Sequence, residues 1–385
     1  MTVADVWDQV RALTQERYGH HLNRSVDELS TPALVVDRDA LDRNIDTMAA
    51  ALDGQRARLR PHVKVQKSPD LALRQLAGGA IGITVATVWE AAAMAGAGVG
   101  DILIANLVVG PEKIAAAAAL ARDIRLAIAV DDERNIAALS AAAVRAGSTL
   151  GILVDLDVGM ARCGARSTAA AVRLGHAVVR APGLELRGIQ AYEGHCMLEP
   201  DPAKRRRLAL EAMDYAGATL DAFAAAGLPH DTLSGGGTGT YDLTGHDPRV
   251  TELQAGSYVF MDAFHGSLVP GFEVSLTALT TVVARHGDTL ILDCGRKSVG
   301  IDFVSPPLQG HDYVARYFAE EHALFDVDAR LAADLGDRLR LVTGYAPTSV
   351  NLHDVLFVVA GDEVVEVWPV FPRGADHHGL LKALT

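Results

Sequence analysis

Apolar and polar positions alternate in two different rhythms along residues 30–260. Short runs rich in Val, Ile and Leu end in polar or glycine residues, and longer Ala- and Leu-rich stretches with helical spacing separate them. Alternating strands and helices predict parallel strands joined by right-handed crossovers. We predict eight such strands, at residues 58–64, 81–86, 101–107, 124–130, 150–157, 186–192, 231–236 and 251–257.

Eight strand–helix units close most simply into a (β/α)8 barrel of the TIM type. An open doubly wound sheet is the alternative, but no G-x-G-x-x-G motif follows the first strand, which disfavours it. The predicted fold class is therefore α/β, with a barrel over residues 30–264. Residues 30–52 are predicted to be one further strand and helix leading into it.

The pattern changes after residue 265. Runs of β-branched residues separated by Gly-Asp turns replace the alternation, and we expect helix only around residues 313–335. This predicts a C-terminal β-rich domain over residues 265–385. We expect residues 1–29 to pack against that domain.

Charge and cysteine content exclude several classes of partner and of protein. With 35 basic and 48 acidic side chains the formal net charge is −13, which disfavours nucleic acid and anionic membranes as partners. The N-terminus lacks the apolar core of a signal peptide, and no apolar run is long enough to span a bilayer. Cys163, Cys196 and Cys294 form no C-x-x-C pair, so we expect no disulfide framework and a cytoplasmic location.

The first predicted strand ends in residues suited to holding a cofactor. His62 and Lys64 are two positions apart, so both point to one side of the strand. Active sites of parallel barrels gather at the C-terminal ends of the strands. A lysine desolvated there becomes an amine nucleophile able to form a Schiff base. Lys67 falls in the following loop, so we select Lys64, although a lysine taken alone is more often a solvated surface residue.

Two glycine-rich segments follow the seventh and eighth strands, where such barrels often bind phosphate. In S-G-G-G-T-G-T-Y-D, residues 234–242, glycines allow backbone N–H groups to approach an anion, and Thr238 and Thr240 add hydroxyl groups. Gly256, Ser257 and Tyr258 complete the predicted phosphate cup. Turns also collect glycine, so it is the adjacency of the two segments that supports the prediction.

Further candidates end the fifth and sixth strands. Arg162, in D-V-G-M-A-R-C-G, is placed to meet an oxyanion or a ring atom, and Tyr192, Glu193 and His195, in A-Y-E-G-H-C-M, offer a ring contact and an acid–base pair. Each taken alone fits a structural polar residue equally well. A lysine, a phosphate cup and Arg, Tyr and His side chains at one mouth favour pyridoxal 5′-phosphate as cofactor. Weaker lining candidates are Asn106, Thr84 and Thr87.

Together these segments resemble the fold-type III pyridoxal phosphate enzymes, specifically the D-threonine aldolase/D-serine dehydratase group, which is built like alanine racemase. The resemblance extends over nearly the whole chain, from T-P-A-L-V-V-D through R-P-H-V-K-V-Q-K-S-P to V-N-L-H-D. It implies a Schiff base on Lys64, ring contacts from Arg162 and Tyr192, and a homodimer whose β-rich domain helps to cover the partner's site. It also implies a set of phosphate-binding residues: Gly236, Gly237, Thr238, Gly256, Ser257 and Tyr258.

The chain departs from the pattern of that family at two places. Relatives usually read P-H-x-K-T-H-K, whereas the second histidine is Gln66 here. Members also carry a divalent-metal pair, H-x-C or H-x-D, shortly before the V-N-L-H-D segment, and the aligned positions here are Tyr345 and Pro347. Neither is an ordinary metal ligand, so we expect no metal at this position.

Two other pairs near the end of the chain contain residue types that can bind a metal. His353 and Asp354 lie beyond the position of the metal pair. The adjacent His377 and His378 could offer a substitute site, but neighbouring side chains point apart on regular structure.

The leading hypothesis is a lyase acting on D-configured β-hydroxy-α-amino acids. Lys64 would hold the cofactor, and His195, with Glu193 or a water, would take the β-hydroxyl proton in a retro-aldol cleavage to glycine and an aldehyde. Loss of a proton from Cα would instead give a dehydratase. A metal-independent racemase or epimerase using Lys64 and Tyr345 is the alternative. A non-catalytic cofactor carrier, or a saccharide- or nucleotide-binding barrel, is more remote.

Overall fold

The computed structural model of the protein describes residues 2–373. The chain begins with helix α1 (Val3–Tyr18), continues through strand β1 (Ala33–Asp37) and enters helix α2 (Arg38–Ala51). The Asp37 carboxylate accepts from the Ala40 N–H group at 2.9 Å and so caps α2.

Eight parallel strands form the barrel that the alternating pattern predicts. Their order in the sheet is β2-β9-β8-β7-β6-β5-β4-β3, and every neighbouring pair is parallel. The strands are β2 (Arg58–Leu59), β3 (Ile83–Val85), β4 (Asp101–Leu107), β5 (Arg125–Val130), β6 (Leu150–Asp155), β7 (Leu184–Ala191), β8 (Thr232–Gly235) and β9 (Glu252–Leu253).

The barrel closes between β2 and β3. His62 forms a parallel bridge with Thr84, and the Thr84 N–H group donates to the Pro61 carbonyl at 2.9 Å. The predicted first strand, 58–64, is therefore shorter than expected: regular pairing ends at Leu59, and Lys64 lies in the turn beyond the bridge.

Six helices connect the barrel strands on the outside. Their buried faces consist largely of Ala, Leu, Ile and Val, which allow close packing against the strands. They are α3 (Pro69–Ala77), α4 (Val88–Gly96), α5 (Pro111–Leu120), α6 (Glu133–Ala146), α7 (Thr168–Arg180) and α8 (Pro202–Ala225).

A second, mainly antiparallel sheet is built from the rest of the chain. After the short helix α9 (Ala263–Leu268), seven strands follow, with the short helix α10 (Ala346–Val350) before the last two. The strands are β10 (Leu276–His286), β11 (Thr289–Leu292), β12 (Ala315–Phe318), β13 (Ala323–Asp326), β14 (Arg338–Val342), β15 (Val355–Ala360) and β16 (Glu363–Pro369).

Strand β1 lies in this second sheet and not in the barrel. It pairs antiparallel with β10, opposing Ala33 to Leu279, and parallel with β15, opposing Val35 to Phe357. All but the last residue of β1 are buried, because Leu34 and Val36 pack into the main core and Ala33 and Val35 into a smaller apolar cluster on the other face. This differs from the predicted barrel range of 30–264, and the boundary at residue 264 stays a prediction.

The N-terminal segment contacts both parts of the chain. Helix α1 packs against α4 and β16, and the Asn23 and Val26 N–H groups donate to carbonyls of Val364 and Asp362, at 2.8 and 2.7 Å. The expected helix around residues 313–335 is wrong, because β12 and β13 occupy much of it and pair with each other. Within residues 2–373, no helix combines the length and apolar character needed to cross a membrane.

Candidate active site

A cavity of about 480 Å³ lies at the C-terminal ends of the barrel strands. This is the face at which parallel barrels assemble their active sites. Of the residues selected from the sequence as catalytic or cofactor-binding, nine line this cavity together: His62, Lys64, Arg162, Tyr192, Gly237, Thr238, Gly256, Ser257 and Tyr345. The more weakly supported Asn106 lines it as well.

Lys64 occupies the turn between β2 and α3. The Val63 carbonyl accepts from the Gln66 and Lys67 N–H groups at 3.1 and 2.7 Å, and this turn leaves the Lys64 side chain at the cavity wall. Burial, and then the charge of Arg162, lower the pKa of Lys64 to about 8. An amine that loses its proton this readily is a usable nucleophile near neutral pH.

The neighbouring lysine has a structural partner. Lys67 Nζ lies 2.7 Å from Glu90 Oε1, and the buried Glu90 carboxylate also accepts from the Ala86 N–H group at 2.7 Å. Lys67 thus compensates a buried carboxylate at the start of α4 and does not line the cavity. This supports the selection of Lys64.

The ring of Tyr192 lies near two basic side chains. Lys64 Nζ and Arg162 Cζ are each 5.6 Å from the centroid of its ring. Burial, and then the charge of Glu193, raise the pKa of Tyr192, so its phenol keeps the proton. Burial together with the charges of Lys64, Lys67 and Arg162 holds the pKa of His62 well below its usual range, so the imidazole beside Lys64 is neutral.

Glu193 does not line the cavity. It binds the glycine-rich segment on the side that faces away from the cavity. Its side chain is fully buried, and Oε2 accepts from the Gly236 N–H group at 3.0 Å. Oε1 accepts from the hydroxyls of Thr240, at 2.7 Å, and Thr244. The geometry does not support the predicted acid–base role, because these contacts occupy both oxygens. The Gly236 N–H group already donates to Glu193, so the geometry also does not support the predicted contact between this N–H group and the phosphate.

The remaining glycine-cup residues face the cavity. A Cβ atom on Gly256 would lie 2.5 Å from the His62 carbonyl oxygen, so only glycine fits this wall. Thr238 Oγ1 accepts from the Tyr258 N–H group at 3.0 Å, which joins the two glycine-rich segments. The Tyr258 side chain does not line the cavity: it is fully buried, and its hydroxyl accepts from Gln75 Nε2 at 2.9 Å. A phosphate contact from Tyr258 would therefore have to come from its backbone and not from this side chain, and the predicted phosphate role of Tyr258 stays a prediction.

His195 is also outside the cavity lining. It lies in a short 3-10 helix after β7, where its Nε2 is 3.7 Å from Cys196 Sγ. Its Nδ1 is buried without a hydrogen-bond partner among residues 2–373. The geometry does not support the prediction that His195 takes the β-hydroxyl proton of a substrate, because its side chain does not line the cavity.

The structure adds a site residue that the sequence analysis did not single out. His265, in α9, lines the cavity. Its Nδ1 lies 2.8 Å from Asp262 Oδ1, and its ring is nearly parallel to that of Tyr345, with centroids 5.9 Å apart. The spacing D-x-x-H in the segment after the eighth strand indicates the contact between these two residues, since a capping aspartate at a helix start lies beside the residue three positions later.

Two family models match the chain in succession. Residues 36–263 match the alanine racemase N-terminal domain, and residues 275–359 match a putative serine dehydratase domain. A D-threonine aldolase from Arthrobacter sp is 37% identical over 354 residues, which cover 90% of this chain and 93% of that protein. The chain belongs to the D-threonine aldolase/D-serine dehydratase family.

Other members of the D-threonine aldolase/D-serine dehydratase family are similar to this chain over almost its whole length. A 3-hydroxy-D-aspartate aldolase from Paracoccus denitrificans (strain Pd 1222) is 37% identical over 362 residues, covering 90% of this chain and 93% of that one. The crystal structure of a D-threonine aldolase from Filomicrobium marinum matches with a TM-score of 0.89 at 36% identity, covering 92% of this chain and 98% of that chain. The predicted family, fold class and lyase class are confirmed.

The metal positions expected for this D-threonine aldolase/D-serine dehydratase family fall at the start of α10. Tyr345 lines the cavity with a phenol whose pKa is raised by burial and by the charges of Asp262 and Asp302, and Pro347 has no donor atom in its side chain. Within residues 2–373, no group of three or more His, Cys, Asp or Glu side chains is arranged to hold a metal. His377 and His378 lie outside the described residues. The expectation that no metal binds stays a prediction.

Proposed function

We propose that this chain is a pyridoxal phosphate-dependent lyase for D-configured β-hydroxy-α-amino acids. It would cleave them to glycine and an aldehyde, or eliminate the β-hydroxyl. The observation that carries the proposal is Lys64, whose pKa is lowered to about 8 and which lines a barrel-end cavity beside the glycine cup. The aldolase relatives support the substrate class.

The residues around the cavity fit the cofactor. Lys64 would hold its aldehyde carbon, and Arg162 and Tyr192 would contact its ring. The backbone of Gly256, a position with no space for a side chain, would contact the phosphate together with Gly237, Thr238 and Ser257. When bound, the cofactor supplies an electron sink for the pair left at the substrate Cα.

The chain's own residues would then control protons at two substrate atoms. Lys64 would take a proton at Cα as the neutral amine, or return one there as the ammonium. Retro-aldol cleavage also needs a base at the β-hydroxyl, whereas elimination needs an acid there. Tyr345 and Pro347 do not fit a divalent metal, so no step is assigned to one.

A racemase or epimerase is the second candidate, because Tyr345 lines the same cavity as Lys64. Burial and the charges of Asp262 and Asp302 raise the pKa of Tyr345, so its phenol stays protonated and is not available as a base, which favours the lyase. The second sheet lies beside the cavity through Tyr345, which follows β14, and Phe303 also lines the wall. That contribution favours an enzyme over a cofactor carrier formed by a barrel alone.

Incubation of the cofactor-loaded protein with D-threonine or D-serine tests the proposal. We expect glycine with acetaldehyde from D-threonine if cleavage dominates, or 2-oxobutanoate and pyruvate if elimination dominates. We expect a chelator to leave the rates unchanged, because the aligned metal positions offer no ordinary ligands. Loss of optical activity without these products would favour the racemase, and loss of activity with the chelator would contradict metal independence.

We also propose that the chain forms a homodimer, as the family resemblance implies. Two apolar side chains that line the cavity, Leu198 and Phe303, are 57% and 51% exposed in the single chain, and covering them would remove apolar surface from water. Sedimentation equilibrium is expected to give twice the mass of the chain, and a monomer would contradict the proposal. The cytoplasmic location stays a prediction, with which the three free cysteines agree.

A further inference from the structure

Asp262 and His265 form a buried carboxylate–imidazole pair at the start of α9. Asp262 Oδ1 lies 2.8 Å from His265 Nδ1 and accepts from the His265 backbone N–H group at 2.7 Å. The second oxygen accepts from the Ala346 N–H group at 2.8 Å. The Asp262 side chain is fully buried and that of His265 is 9% exposed, so packing and hydrogen bonds both fix the pair.

These contacts indicate which nitrogen of His265 is free. A carboxylate that already accepts two backbone N–H groups acts as an acceptor, so Nδ1 carries the proton that it shares with Asp262. Nε2 then keeps its lone pair and can act as a general base. A carboxylate that holds a histidine in one tautomer is the arrangement used to orient catalytic imidazoles.

The position of His265 places this base inside the candidate site. Its ring lines the cavity that Lys64 also lines. Tyr345 stacks against it at 5.9 Å, and the rings of Phe264 and Phe303, 4.7 Å apart, continue an aromatic wall. These rings give the side of the cavity next to His265 an aromatic, apolar surface.

The other basic or acidic side chains at or near the cavity are less suited than His265 to accept the β-hydroxyl proton. Lys64 is needed for the cofactor, and burial makes the His62 imidazole a weak base by lowering its pKa. Burial and nearby carboxylates raise the pKa of the Tyr345 phenol. Glu193 and His195 do not line the cavity. Among the histidines of residues 2–373 that line it, His265 is the one with a carboxylate partner.

We propose that His265, oriented by Asp262, is the general base that removes the β-hydroxyl proton of the substrate. This inference rests on the proposed lyase function. The O–H bond breaks, its proton passes to Nε2, and its electron pair becomes the second bond of the aldehyde carbonyl. The Cα–Cβ bond would break, and its electron pair would remain at Cα, where the bound cofactor would stabilise it. Lys64, as its ammonium, would supply the proton that completes glycine, and the proton held by His265 would pass through solvent to restore that ammonium.

The variant His265→Asn tests this role. Asparagine can still donate to Asp262 but has no base at the position of Nε2, so kcat for D-threonine cleavage is expected to fall about 10²- to 10³-fold. Added imidazole is expected to restore part of the lost rate. His246→Asn is the matched control, because His246 is exposed and contacts the Ala51 carbonyl away from the cavity. It is expected to keep the wild-type rate.

Two further measurements separate catalysis from binding. Exchange of the glycine α-proton in D2O involves no β-hydroxyl, and the dissociation constant for pyridoxal phosphate reports on the cofactor cup. Both are expected to change little in His265→Asn. If this variant does not fold, as judged by thermal denaturation, His265→Gln is measured in its place.

The possible results have distinct meanings. Wild-type cleavage by the variant would overturn the inference. A parallel fall in cleavage and glycine exchange, or loss of cofactor affinity, would also overturn it, because the defect would then lie in binding. If the wild-type protein neither cleaves nor dehydrates a D-β-hydroxy amino acid, the proposed function fails, and the inference fails with it. Elimination without cleavage would overturn the inference alone.

Discussion

Replacing Lys64 with alanine is expected to remove the lyase activity and the covalently held cofactor together. No other lysine lines the cavity among the described residues, and the pKa of about 8 sets Lys64 apart as a nucleophile. Loss of an essential nucleophile commonly lowers kcat by about 10⁴-fold or more. Activity assays, absorbance of the bound cofactor and peptide mapping after borohydride reduction are the measurements.

Lys67→Ala is the matched control for this prediction. It removes a lysine of the same turn that is paired with Glu90, so we expect lower stability but a normal label on Lys64. Only the neutral amine attacks an aldehyde, so cofactor capture is expected to rise with pH and reach half its maximum near pH 8. An ordinary lysine would give a midpoint more than two pH units higher, at about 10.4. Labelling of Lys67, or capture in Lys64→Ala, would contradict the assignment.

Replacing Glu193 with alanine is expected to weaken cofactor binding about 10- to 100-fold, roughly 1.4–2.8 kcal/mol. The substitution leaves the Gly236 N–H group and the hydroxyls of Thr240 and Thr244 without their acceptor behind the glycine cup. Each buried donor left unpaired costs roughly 1–3 kcal/mol, so we expect a lower free energy of unfolding as well. Fluorescence titration with pyridoxal phosphate and denaturant unfolding measure the two effects.

The effect of this substitution on kcat shows whether Glu193 positions the glycine cup or transfers a proton. A residue that only supports the cup should leave much of kcat intact once the cofactor is saturating. A large fall in kcat at saturation, with unchanged cofactor affinity and stability, would restore the acid–base role that the sequence predicted for Glu193. Asp201→Asn is a suitable control, because Asp201 caps the exposed start of α8 away from the cavity.

Much of the barrel could be predicted because its central strands are buried on both faces. The predicted strand 101–107 coincides with β4, and the apolar runs of β5 and β6 are found nearly where expected. The first and last strands are shorter than predicted, because the chain leaves the sheet at the residues that build the site. Hydrophobic pattern does not mark that departure.

The same reasoning explains which site residues were found. Lys64, Arg162 and Tyr192 follow strand ends, and the barrel geometry gathers them. Adjacent side chains at a strand end point to opposite sides, so with Tyr192 in the cavity Glu193 had to lie behind it. The D-x-x-H spacing indicates that Asp262 and His265 contact each other, but the direction of their short helix depends on a tertiary contact of Asp262 with Ala346, which no local pattern contains.

The placement of β1 imposes an order on biosynthesis. Strand β1 leaves the ribosome early. Its partners in the sheet, Leu279 opposite Ala33 and Phe357 opposite Val35, are translated only after the whole barrel. The barrel can therefore close while the nascent chain still carries β1 with both edges bare, and the second sheet must assemble around it afterwards. Because contacts so distant along the chain are slow to form, the late stages of folding are the period in which this protein most needs protection from aggregation.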